Sequence, residues 1–94
     1  MRCYFAQYDS KPCSFRDDGR PDRAHLIPKQ RMRITNLPDG VVWDSRVWVP
    51  ACRAHHHRFD MRFFNLKRDQ LPPAIEDFAA EHRLVWSLRR DYGE

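Results

Sequence analysis

Ninety-four residues are enough for one small domain, and a domain of that size buries so modest a share of its surface that a metal, a disulfide or a partner is expected to reinforce it. Hydrophobic residues at 41% and charged residues at 32% exclude wholesale disorder. Lys and Arg number 17 against 13 for Asp and Glu, a net +4 that fits either a solvated basic face or an anionic partner, with arginine's planar fork suited to phosphate. No apolar run approaches the ~20 residues that span a bilayer, and "MRCYFAQYDS" lacks the apolar core of a signal peptide, so the expectation is a cytoplasmic chain away from membranes.

In chain order, residues 1 to 24 carry Cys3 and Cys13 and a polar turn, "RDDGRPDR". "AHLI" (24–27) is a short strand ended by Pro28. "KQRMRITNLPDG" (29–40) is basic and closes on a Pro-Asp-Gly turn signal, which predicts a loop with little regular structure. "RVWVP" (46–50), rich in β-branched and aromatic residues, predicts a second strand stopped by Pro50. From Ala51 or Cys52 to about Asn65 the pattern is helical, with Phe59, Phe63 and Leu66 as its core stripe. "LPP" (71–73) opens a further helix with Ile75, Phe78, Ala79 and His82 on one face. After a break at His82–Arg83, a last helix repeats Leu84, Leu88 and Tyr92 at intervals of four. The tryptophans Trp43, Trp48 and Trp86 are most simply core side chains. Two strands around a long connection followed by helices make an α+β chain, a single domain over 1–94 with its core in 1–70 and a helical tail in 71–94.

Metal chemistry concentrates in "ACRAHHHRFD" (51–60). Cys52 and His55 have the C-x-x-[C/H] half-site spacing that suits tetrahedral zinc, and Cys3 and Cys13 complete a Cys3His set. Three cysteines cannot all pair as disulfides, and in a reducing compartment ligation is the better use of them. Such a site would staple the N-terminal segment to the helix; the bland alternative is three inert, buried thiols. Residues four apart share a helix face, so His56 and Asp60 converge, a pair able to hold a catalytic divalent cation with open positions, while His57 faces solvent or nucleic acid. His25, on the first strand, is the further reactive group that such a pair needs.

The strings "RAHLIPKQ" and "VWDSRVWVPACRAHHHRFD", with a helical tail ending in "RRDYG", resemble the HNH endonucleases, in particular small members from actinobacterial phages and prophages. The resemblance runs over nearly the whole chain and implies the ββα-metal (His-Me finger) fold, with a zinc-stapled N-terminal segment and C-terminal helices. It implies hydrolysis of DNA phosphodiesters with His25 as general base and Mg²⁺, Mn²⁺ or Ni²⁺ on His56 and Asp60, beside structural Zn²⁺ on Cys3, Cys13, Cys52 and His55. Arg23, Arg31, Arg33, Arg53 and Arg58 would neutralise DNA phosphates. Phage packaging proteins are partners that the phage context alone implies.

Two positions depart from the family pattern. Ala24 stands where many members place a metal-ligating Asp or His; Asp22, three residues before His25, would point to the other face of a regular strand. Val47 stands where the family has its middle Asn, and either Asp44 or Asn36 would have to hold the loop instead. The competing readings are a zinc-stabilised nucleic-acid-binding module that has lost its chemistry and a protein-binding partner presenting exposed tryptophans.

Overall fold

A computed structural model describes residues 3–93. It is a small α+β structure: a 3-10 turn at Tyr4–Gln7, strands β1 (Asp22–His25) and β2 (Trp48–Ala51) paired in a two-stranded sheet, and five helices. The helices are α1 (Lys29–Ile34), α2 (Asp39–Val42), α3 (Arg53–Asp60), α4 (Ala74–Glu81) and α5 (Val85–Tyr92), with a second 3-10 turn at Arg68–Gln70. Among the described residues, no helix is long and apolar enough to cross a membrane.

Two compact units divide the chain. One comprises the residues up to Ala24 together with Val49–Asn65; the other comprises His25–Trp48 and the chain from Leu66 onward. In the first unit, Phe5 from the 3-10 turn stacks on Phe59 of α3 with ring centroids 4.5 Å apart, and Phe64 meets Phe5 edge-on at 5.3 Å. In the second, Leu26, Ile27, Met32, Val42, Ile75, Phe78, Leu84 and Leu88 are all fully buried. The Tyr92 hydroxyl donates to the Leu26 carbonyl, tying the end of α5 to the chain just after β1.

Residues 29–40 are largely helical rather than a loop. Pro28 supplies the first-turn φ that a helix accepts, and Lys29, Gln30, Arg31, Met32 and Arg33 are all good helix formers. Asn36 then adopts φ 63°, the left-handed residue that stops a helix, while the Leu37 N–H reaches back to the Met32 carbonyl at 3.1 Å. Pro38 starts α2 in the same way, with Asp39 in its first turn. The proline and asparagine are thus helix punctuation, and the turn signal marks only the gap between two short helices.

Both strands are shifted from their expected bounds. Pro50 lies inside β2 because a two-stranded sheet has only edge strands, where a missing N–H is tolerated. Helix α3 ends at Asp60, not near Asn65, because Arg62 turns left-handed (φ 58°) and the Phe63 N–H bonds to the Arg58 carbonyl at 2.9 Å. The turn leaves Phe63 62% exposed and directs Phe64 to the aromatic cluster, so the expected stripe of Phe59, Phe63 and Leu66 loses its middle member. The break at His82–Arg83 occurs as the sequence predicts, with Arg83 at φ 58°. Trp43 and Trp86 are 40% and 46% exposed, so neither is a core residue.

Candidate metal centre and the two histidine sites

Cys52 begins the first site. It caps the N-terminus of α3, its sulfur accepting the His55 N–H at 3.2 Å, so the same three-residue spacing that suits a ligand pair also satisfies an orphan helix donor. One turn into the helix, the fully buried His55 directs Nδ1 at three sulfurs: Cys52 at 3.0 Å, Cys3 at 3.5 Å and Cys13 at 3.6 Å. The four ligand atoms all lie within 4.8 Å of one another. Tetrahedral zinc, with Zn–S near ~2.3 Å and Zn–N near ~2.0 Å, spaces its ligands by roughly 3.5–3.8 Å, so the set is close to what the ion requires.

The other nitrogen of His55 supports that fit. Nε2 is buried without a hydrogen-bond partner, and the nearest acid is Asp9, whose Oδ2 lies 3.6 Å away. A ligating histidine characteristically offers its second N–H to a carboxylate. Asp9 is itself held by Arg58, whose Nε donates to Oδ2 at 2.8 Å, and that hydrogen bond keeps the Asp9 carboxyl below its ordinary value. Burial works against the Cys52 thiolate, yet hydrogen bonds from the backbone N–H groups of His55 and Ser14 outweigh it and bring this thiol down to about 7. Burial and the neighbouring thiols push Cys13 up to about 12. The result is a Cys3His cluster that could hold a metal ion such as zinc.

His56 occupies a second environment in the same unit. Its Nδ1 lies 2.9 Å from Asp22 Oδ2, and its Nε2 lies 3.4 Å from Asp60 Oδ2, the carboxylate one turn further along α3. Asp22 therefore meets α3 directly, while Arg53 pairs with the same Asp22 oxygen at 3.2 Å. The two carboxylates address opposite nitrogens of the ring and do not converge. Among the described residues, only the cysteine-histidine cluster gathers three or more ligand atoms.

His25 lies in the second unit. Its Nε2 is 2.7 Å from the Val42 carbonyl, and its ring meets Trp43 nearly perpendicularly at 4.7 Å. A carbonyl only accepts, so Nε2 carries the proton and Nδ1 is the acceptor nitrogen of the neutral ring. Of the two residues weighed for holding the loop, Asp44 is the one that does: its Oδ1 accepts the Arg46 N–H at 2.9 Å and its carbonyl accepts the Val47 N–H at 3.0 Å. Asn36 instead closes α1. Val47 and Ala24 are both fully buried.

The arginines expected at phosphates separate into two sets. Arg31 donates to Asp91 at 2.6 Å and to the buried Ser87 hydroxyl at 2.8 Å, and Arg58 is committed to Asp9. Arg53 pairs with Asp22 but keeps 64% of its side chain exposed, and Arg23 and Arg33 are exposed. Sequence reasoning missed Asp9 and the role of Arg58 beside the cluster. The spacing of Arg58, three residues after His55 on one helix face, was a readable signal, whereas nothing local marks Asp9.

Fold and site together define a small α+β protein with a Cys3His cluster that could hold a metal ion. No family model, curated protein or solved structure matches the chain.

Proposed function

We propose that the protein is a metal-dependent endonuclease of the ββα-metal type, hydrolysing DNA phosphodiester bonds with His25 as general base and with His56 and Asp60 as ligands of a divalent cation. The observation that carries this reading is the hydrogen bond from His25 Nε2 to the Val42 carbonyl, because it leaves the ring anchored with Nδ1 as its basic atom. In the hydrolysis, Nδ1 takes a proton from water, the water oxygen bonds to phosphorus, and the bond from phosphorus to the 3′ oxygen breaks.

The surroundings of His56 are compatible with cation binding. A neutral ring donating its Nδ1–H to the Asp22 carboxylate would offer a lone pair at Nε2 toward Asp60, a two-ligand arrangement in which Asp22 orients the histidine. A divalent ion there, whether Mg²⁺, Mn²⁺ or Ni²⁺, would supply positive charge to the scissile phosphate and the departing oxygen. His55, adjacent to His56, would be locked by structural zinc, so the stapling cluster also fixes the helix that carries the second histidine. Exposed arginines, Arg23, Arg33 and Arg53, would supply the sequence-independent affinity for DNA. A phage context and packaging partners belong to the family resemblance alone.

One observation favours the runner-up, a zinc-stapled DNA-binding module without chemistry: a buried alanine, Ala24, precedes His25 and leaves the cation with two protein ligands. Supercoiled-plasmid cleavage by wild type and His25→Ala, with no added ion and with Mg²⁺, Mn²⁺ or Ni²⁺, separates the two. The nuclease reading expects ion-dependent cleavage that His25→Ala reduces by about 10²- to 10⁴-fold while zinc content persists. Salt-sensitive DNA binding with no cleavage by either protein would establish the binding module instead.

A further inference from the structure

Trp43 is an unusual residue to leave at a surface. It is 40% exposed, it touches the ring of His25, and its backbone carbonyl accepts the Trp48 indole N–H at 3.0 Å, which fixes the turn that presents it. The ammonium of Lys29 lies over the same indole, 5.1 Å from the ring centroid. Lys29 is exposed and has no carboxylate partner among the described residues; Arg33, one turn along α1, has none either. An aromatic ring with a cation over it matches the alternation of base and phosphate along a nucleic-acid strand.

Trp86 makes the point by contrast. It is 46% exposed and also has a cation above it, Arg31 at 5.7 Å, but that guanidinium is tied to Asp91 and Ser87 and cannot leave. Among the described residues, Lys29 is held by its attraction to the ring, a weak interaction at an exposed site, and its flexible stem lets it move aside.

We propose that Trp43 and Lys29 form a docking platform for an unpaired nucleotide: a base stacks on the indole, displacing Lys29, and the released ammonium takes the adjoining phosphate. The partner is a single strand, or a locally opened one, because bases within a duplex have both faces covered by their neighbours. The inference rests on the nuclease reading for its meaning, since a nucleotide held there lies beside the candidate base His25. Trp43 and Lys29 are then positioning residues for the substrate.

The test is binding of a labelled oligothymidylate, and of a duplex of the same length, to zinc-loaded protein with no added divalent ion. Trp43→Ala should weaken single-strand binding by about 5- to 100-fold and leave duplex binding and the melting temperature unchanged. Trp43→Phe should restore most of the loss, and Trp86→Ala should cause none. Lys29→Gln should reduce the salt dependence of single-strand binding, log K against log salt, by about 0.7 in slope. Wild-type single-strand affinity in Trp43→Ala, or equal losses for single strand and duplex, would overturn the platform. Cleavage is not read in this assay, so a protein that docks strands in this way yet never cuts DNA leaves the platform standing and removes the nuclease reading alone.

Discussion

The two units are held together by different means. In the first, the fully buried apolar side chains beyond the ligands themselves are few: Phe5, Ala24 and Ala51, with Phe59 and Val49 nearly so, and the buried polar centre is His55 among three thiols. The second is built on aliphatic packing, with Leu26, Ile27, Met32, Val42, Val47, Ile75, Leu84 and Leu88 all at 0% exposure, and it carries ion pairs of Arg31 with Asp91, Arg46 with Asp44 and Glu81, and Arg68 with Glu76. The contrast shows how a short chain can manage with little core: where apolar volume runs out, there is a cluster of side chains that could hold a metal ion, and that cluster falls where the apolar packing is thinnest.

The largest effect should follow from removing the metal. Structural zinc in small domains contributes an apparent ~10–16 kcal/mol, comparable to or larger than a typical domain's whole stability of ~5–15 kcal/mol. Hydrogen exchange on chelator-treated protein, or on Cys52→Ser, should show amide protection lost in Tyr4–Gln7 and α3 before α4 and α5. Loss of protection in α4 and α5 at the same rate would break the contrast between the units. Next in size is Leu88→Ala, a fully buried truncation expected to cost ~2–5 kcal/mol with zinc stoichiometry retained. Because Trp43, Trp48 and Trp86 all lie in the second unit, tryptophan fluorescence during denaturant unfolding reads that unit selectively. A smaller effect is expected beside the cluster: Asp9→Asn, or Arg58→Met, which leaves Asp9 unsupported, should weaken zinc binding by about 10- to 100-fold in a chelator competition.

The same contrast explains what could be read from the sequence. The Cys3His ligand set was legible because ligation imposes a spacing, Cys52 to His55, that survives in the sequence whatever surrounds it. Helices α4 and α5 were legible from apolar periodicity, and the break between them from its position after Phe78 and Ala79. Residues 29–40 were not, since short helices bounded by Pro28, Asn36 and Pro38 carry the same residue types as turns, and only the order of proline before and asparagine after distinguishes them. The end of α3 was misjudged for a related reason: nothing in "DMRFFN" marks Arg62 as the left-handed residue. Long-range partners such as Asp9 with Arg58, Asp22 with His56 and Arg31 with Asp91 have no local signature, so arginines expected to meet phosphate include two already committed to carboxylates.

The smallest expected effect sharpens the contrast from the side of the second unit. Hydrogen bonds from the Arg46 side chain and backbone hold the Asp44 carboxyl below its ordinary 3.8. A carboxyl depressed in the folded state contributes stability that is complete above its unfolded value and disappears as pH falls through the folded one, so this support operates above about pH 4 and is lost below it. Asp44→Asn keeps an oxygen for the Arg46 N–H and removes only the charge. Tryptophan-monitored melting of the variant should therefore show a slightly lower melting temperature at pH 6 and a shallower decline from pH 5 to pH 3 than the wild type. An identical acid decline would mean that Glu81 and Glu76, also depressed by their arginine partners, carry the acid sensitivity of this unit, and that Asp44 shapes the turn before β2 through its backbone bonds alone.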